Sequence, residues 1–299
     1  MGRGTLFVLV GAFLWGTISF FVKNLYEAGF TPMEVVTIRV TVAAIILCVF
    51  TGLTSNKSLK LQRISHIKYF IGTGVFSITF FNYCMFKTIQ LSTVQVSAAL
   101  LYTGPAFVII ISLIVLHEKI TRNKILSLLC TCVGIILVVE FFPLQDKTIP
   151  IMTIIIGLCS GIGYALYSIF SKFALQHYDS LTITTYTFLV SAIVLIPFFP
   201  FSKKGALLFQ PDVYLYALGL GFVPTAIAYI LYTYGLSFIE ASKAAILSTM
   251  EPVVATLIGI FIFTEPFTIF QIVGMGCILL AVMIIELPSL SNRKKKVIQ

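Results

Sequence analysis

The chain has 299 residues, of which 59% are apolar and 10% charged, with 20 basic against 11 acidic side chains and a net charge of +9. Its mean hydropathy is +1.04, whereas a soluble domain carries about 25% charged residues. Ten spans of roughly 20 residues would use about 200 of them, so a soluble catalytic domain, a receptor ectodomain and a nucleic-acid-binding module are excluded, and the sequence reads as an all-α integral membrane protein.

In chain order, charged and Pro/Gly-containing breaks give ten predicted transmembrane helices: 5–25, 34–52, 67–89, 93–116, 122–141, 150–172, 181–201, 213–237, 242–263 and 268–287. Helices are preferred to barrel strands because each run is continuously apolar, without a two-residue alternation. The first run is read as a retained span, since it continues through Phe21 with no small-residue cleavage site after it. The six cysteines (Cys48, Cys84, Cys130, Cys132, Cys159 and Cys277) all fall within apolar segments and read as packing residues. His66, His117 and His177 are assigned to loops.

Sorting the basic residues by loop turns the net charge into a topology signal. With the N-terminus inside, 14 fall on inner segments, among them Arg3, Lys57, Lys60, Lys119, Arg122, Lys124, Lys172, Lys243 and the run Arg293 to Lys296. Five fall outside (Lys23, Lys87, Lys147, Lys203 and Lys204), and Arg39 lies within a span. The positive-inside rule then puts both termini in the cytoplasm of a plasma-membrane protein.

An internal repeat organises the chain. Ala99-Leu-Leu-Tyr-Thr-Gly-Pro105 and its continuation to His117-Glu118-Lys-Ile-Thr121 match Leu247-Ser-Thr-Met-Glu-Pro252 and its continuation to Thr264-Glu265-Pro-Phe-Thr268, at an offset of 147. Trp15 through Lys23 matches Tyr164 through Lys172 at an offset of 149. The predicted organisation is a first five-helix repeat over 1–141, a connecting loop over 142–149, a second repeat over 150–287 and a basic tail over 288–299. Five is odd, so the second copy enters the membrane from the opposite side, giving two inverted five-helix repeats.

These residues resemble the EamA-type ten-helix permeases of the drug/metabolite transporter superfamily. The resemblance rests on Gly11-Ala-Phe-Leu-Trp-Gly16 with Lys23, Arg39 in the second helix, the Pro-bearing helices that end in Glu118 and Glu265, and the Gly-spaced fifth and tenth helices. It covers essentially the whole chain. It implies a multi-pass permease, often an exporter of amino acids, other metabolites or toxic compounds, and it names no solute.

Glu251 is an acid about ten residues into the ninth span, directly before Pro252. A buried carboxylate costs on the order of 3 kcal/mol on insertion scales, so it should face the bundle interior as a proton-coupling group, a contact for a cationic solute, or a helix-packing hydrogen bond. Arg39 could hold a carboxylate through its guanidinium fork, snorkel to the outer interface, or brace the loop through Glu34 or Glu27. Trp15, Asn82, Tyr83, Tyr102, Tyr164, Tyr167, Tyr229 and Tyr232 lie within spans, several at repeat-equivalent positions, and as a set suit the lining of a solute cavity. Filling and interfacial anchoring would also explain such aromatics. Snorkelling accounts for Lys23 and Lys172, while Glu118 and Glu265 read as loop caps that anchor the following helix.

The sequence holds no nucleotide-binding G-x-x-x-x-G-K-[ST] and no His-Glu-x-x-His. No enzyme activity, cofactor, metal or nucleic-acid partner is expected. The partners are a small-molecule solute, membrane lipid and protons as a candidate coupling ion, with the oligomeric state open. The expectation is a secondary transporter, by family usage an exporter, that moves a small metabolite by alternating access. An uptake permease or facilitator of the same solutes and a non-transporting membrane scaffold are the alternatives.

Overall fold

The computed structural model describes residues 2–54, 61–141, 149–266 and 268–287. Lys57, Lys60, Lys147 and the basic tail lie outside these residues, as does most of the connecting loop. Among the described residues, nine helical stretches are long and apolar enough to cross a membrane: α1 (Arg3–Glu27), α2 (Pro32–Thr54), α3 (Ile64–Leu91), α4 (Val94–Val115), α6 (Ile151–Ala174), α7 (Ser180–Phe198), α8 (Pro211–Leu236), α9 (Ala241–Phe261) and α10 (Ile269–Glu286). The tenth, α5 (Arg122–Val138), has 17 residues, about 25 Å of helix, and packs along α10. No strand occurs among the described residues.

Repeat-equivalent helices run antiparallel. At one end of the α2–α7 pair the Thr51 and Thr185 hydroxyls are 3.0 Å apart, and towards the other Ile38 shares a cluster with Phe199. Asn123, at the start of α5, donates to the Leu287 carbonyl after α10 at 2.8 Å, and Thr268, before α10, donates to Glu140 after α5 at 2.6 Å. The two copies are therefore inverted, and they interlock: α1 lies along α8, α3 along α6, and α2 along both α7 and α8.

Lipid supplies little hydrophobic drive for helix association, so close packing and polar contacts must hold the bundle. At the α5–α10 crossing a Cβ on Gly134 would sit 2.8 Å from the Gly274 carbonyl oxygen, and one on Gly274 would sit 2.6 Å from that of Gly134. Only hydrogen fits at that approach. A hydroxyl ladder ties α7 to its neighbours, with Thr73 to Thr187 at 2.6 Å and Thr79 to Ser191 at 3.0 Å. Aliphatic side chains such as Leu129 and Met283 stay exposed on the outer faces, where lipid covers them.

The helices are interrupted where the repeat predicts a shared device. In α4 a helical segment ends at Leu101 and the next begins at Gly104, with Pro105 in its first turn. In α9 the corresponding segments are Ala241–Leu247 and Met250–Phe261, with Pro252 near the start of the second. Proline lacks an N–H and disfavours helical backbone in the residue before it. The helices α3 and α8 carry π-helical stretches at Gly72–Thr79 and Phe222–Ile227, and α1 is broken at Thr17. Uniform hydropathy conceals all of these interruptions.

The first and last described helices meet at one end of the bundle, the terminal end, where Thr5 donates to Glu286 at 2.8 Å and Lys243 pairs with Glu286 at 2.6 Å. His66 corrects the loop assignment. It lies in the first turn of α3, buried, with its ring 4.4 Å from that of His177 and its Nδ1 3.0 Å from the Tyr178 hydroxyl.

Candidate functional site

Two groups of side chains meet at mid-span. The first is aromatic. Trp15 packs its ring 4.8 Å from those of both Tyr229 and Tyr232, Tyr167 stands edge-on to Tyr229 at 5.0 Å, and Phe188 does the same from the other side at 4.9 Å. Buried phenols need hydrogen-bond partners: Tyr167 meets Thr233 and Tyr232 meets Ser168, each at 2.7 Å. Trp15, Tyr164, Tyr167, Tyr229 and Tyr232, with Ser77, Phe81 and Ser168, line a cavity of about 10 Å³, room for one water at most. A solute-sized space is therefore not open within the cluster. A wider opening of about 440 Å³ lies at the terminal end, where Leu116, Glu118, Lys172, Gln176 and Glu240 contribute to its wall.

The second group is charged. The α9 break places Glu251 in the first turn of the helical segment Met250–Phe261, where the positive end of the helix dipole favours a carboxylate. Glu251 is half-buried, within hydrogen-bonding reach of the Tyr102 hydroxyl, and in the electrostatic field of Arg39. Tyr164 and Tyr229 also feel its charge, and Tyr164 joins the two groups through a 3.0 Å contact of its hydroxyl with Ser248. Gly104, the repeat copy of Glu251, makes room for the Tyr164 ring: a Cβ there would lie 2.7 Å from its Cδ1.

Arg39 is buried, at 7% exposure, and its Nε has no hydrogen-bond partner. Glu34 does not brace it, because that carboxylate accepts from Lys204 and from the Thr31 amide, each at 2.7 Å. The five ion pairs among the described residues lie at the bundle ends, and none includes Arg39 or Glu251. Arg39 and Glu251 thus close no direct pair. Trp15 Nε1 and Ser77 Oγ, both on the small cavity, are also buried without partners.

The structure brings together Trp15, Tyr164, Tyr167, Tyr229 and Tyr232, and sets Tyr102, Arg39 and Glu251 beside them. Two residues stand apart. Tyr83 is 57% exposed on the outer surface, and Asn82, though buried, turns its amide to the Ile78 carbonyl of its own helix at 2.7 Å. Ser77, Phe81, Ser168 and Ser248 were not anticipated. A lone serine in an apolar helix carries no periodic signal, and only the crossing of α3, α6 and α9 shows what these face.

The terminal end is tied by charge. Glu118, with an 8% exposed side chain, accepts from the backbone N–H of Ala241 at 2.6 Å and of Ser242 at 3.1 Å, and from the Ser242 hydroxyl. It caps the start of α9 in the opposite repeat, which corrects the expected cap on the following helix. Lys124 bridges Glu118 at 3.4 Å and Glu240 at 2.8 Å. Burial pushes the Glu118 carboxyl up, but the Ser242 and Ala241 hydrogen bonds and Lys124 outweigh it, and the group sits below the usual carboxylate range.

The EamA-like transporter family matches the chain twice, over residues 2–140 and 151–287. An uncharacterized transporter of Archaeoglobus fulgidus is 30% identical over 287 residues, which cover 95% of this chain and 96% of that protein. The uncharacterized inner membrane transporter YicL of Salmonella typhimurium is 25% identical, with 96% of each chain covered. The uncharacterized transporter YyaM of Bacillus subtilis is 24% identical, over 91% and 92%. A solved structure titled only as the crystal structure of a protein superposes with a TM-score of 0.77 over 95% of this chain and 96% of its own, at 14% identity, and so shows the fold alone. On two matched halves and a relative similar over almost its full length, the chain belongs to the EamA-like transporter family, as a multi-pass membrane protein.

Proposed function

We propose that the protein is a secondary transporter of the plasma membrane that moves a small metabolite bearing both a cationic and an anionic group, such as an amino acid, by alternating access. The observation that carries this reading is the pair of Arg39, buried, and Glu251, half-buried, opposite charges within the spans that close no ion pair among the described residues. A carboxylate on the Arg39 fork and an ammonium on Glu251 would complete both. The tyrosines Tyr102, Tyr164 and Tyr229 around Glu251 suit the solute body by aromatic contact and hydroxyl donation. In its absence Glu251 is the group suited to carry a proton, which makes proton antiport the favoured coupling.

Export is the direction that family usage favours, with both termini in the cytoplasm on the side of the greater basic charge. The closed aromatic cluster fits a carrier that opens to one side at a time. The test is flux in proteoliposomes with amino acids, amines and nucleosides, with and without an imposed pH gradient. Saturable counterflow, acceleration by the gradient and loss of that acceleration in Glu251→Gln are expected. Equal flux at every gradient, unchanged in Glu251→Gln, would refute the coupling, and non-saturable flux would refute the carrier.

A further inference from the structure

The turns that end α4 and α9 are built alike. His117 and Thr264, 147 residues apart, both hold left-handed backbone, with φ of 55° and 52°. The next amide donates six residues back in each: Glu118 N to Ser112 O at 3.1 Å, and Glu265 N to Gly259 O at 3.0 Å. Thr121 and Thr268 then cap the following helices in the same way. Left-handed backbone is unfavourable for a non-glycine residue, so its occurrence at both copies marks the turn as a device for presenting a glutamate.

The two glutamates do different things. Glu118 spans to the opposite repeat and caps α9 through Ala241 and Ser242, which are buried. The repeat copies of those two residues are Val94 and Gln95 at the start of α4, and both are exposed. Glu265 does not reach them. It pairs with Lys23 at 2.9 Å, with side chains 54% and 42% exposed. The copy of Lys23 is Lys172, which lies in the field of Glu118 and Glu240 on the wall of the terminal opening and forms no ion pair among the described residues. Each end thus shows one of two pairings, and each lacks what the other has.

We propose that Glu118 and Glu265 are alternating latches. In the state described, Glu118 ties the end of α4 to the start of α9 beside the terminal opening, while Glu265 rests on Lys23. In the opposite state the assignments exchange: Glu265 accepts from the Val94 and Gln95 amides, and Glu118 moves to Lys172. Inverted repeats make the two states copies of each other with the halves interchanged, so neither needs a contact the fold does not already contain. The two are not released together, because both ends open at once would join the two sides of the membrane. The inference rests on the alternating-access reading above and adds its residues.

The experiment is a distance measurement between spin labels in the full-length protein in liposomes, with the native cysteines replaced. One pair is placed at Lys119 and Ser237 on the terminal end, and the other at Gln90 and Thr264 on the opposite end. Removing the charge of the engaged latch (Glu118→Gln) or releasing its counterpart (Lys23→Met) should move the population about tenfold towards a longer terminal-end distance and a shorter opposite one. Adding Glu265→Gln to the first variant, or Lys172→Met to the second, should reverse that shift. The lysine variants are surface changes and keep the test valid if Glu118→Gln does not fold. Distances unmoved by folded single variants, or both ends moving in the same sense, would overturn the latch. Flux measured on the same liposomes separates the two readings: distances that exchange without transport of any solute keep the latch and refute the transporter, and transport with fixed distances does the reverse.

Discussion

The fourth and ninth helices are two readings of one sequence pattern. Both break before a proline, both resume as a short helical segment, and both end in a left-handed turn that carries a glutamate. At the break, however, α4 offers Tyr102 and the bare Gly104, whereas α9 offers Ser248 and Glu251. The first copy gives a phenol and space for Tyr164, and the second gives charge. Repetition therefore supplies the backbone device twice, and divergence at one position, glycine against glutamate, makes the centre of the bundle chemically one-sided. A symmetric pair of acids would repel across the middle of the membrane, and a symmetric pair of glycines would leave Arg39 as the lone charge there.

The comparison is broken most directly by Glu251→Gly, which gives α9 the chemistry of α4. Transport should fall about a hundredfold, the scale expected when one partner of a buried charge arrangement is lost; a fold retained by gel filtration and thermal melting checks that the loss is functional. Gly104→Ala tests the other side. The added Cβ meets the Tyr164 ring at 2.7 Å and the Gly161 carbonyl oxygen at 3.4 Å, so a destabilisation of about 1–3 kcal/mol is expected, read as a lower melting temperature, with relief when Tyr164→Ala is added.

The smallest effect concerns the end turns and depends on pH. The Glu118 carboxyl is held below the usual carboxylate range. Its contribution is therefore fully present above the ordinary carboxylate value, and it is lost as pH falls through the depressed folded value. The melting temperatures of the wild type and Glu118→Gln should accordingly differ at neutral pH and converge in acid, whereas Glu265→Gln, at an exposed pair, should show little difference at either pH.

Much of the site was legible as composition. Tyrosines and a tryptophan within apolar runs stand out because a polar tip in hydrocarbon needs a partner, and five of them converge in the structure. Tyr83 carries the same signal as its neighbours, yet it is 57% exposed. A helix position faces lipid or protein according to its rotation, and α3, with its π-helical stretch over Gly72–Thr79, departs from the regular period that would have fixed that rotation. Lys23 read as a snorkelling end residue because its partner, Glu265, is 242 positions away, and no local pattern relates the two.

The sequence by itself determined the membrane, the number of spans, the inverted repeat and the family, since each follows from summed hydropathy, summed charge or self-similarity along the chain. Tertiary structure alone decided which aromatics meet, that Arg39 and Glu251 close no direct pair, and that Glu118 spans to α9 while its copy turns to Lys23. The reason is physical. Insertion into lipid is settled helix by helix by transfer energy, whereas the chemistry of the centre arises where α1, α2, α4, α6, α8 and α9 pass within a few ångströms of one another, and one-residue differences between copies decide what faces what.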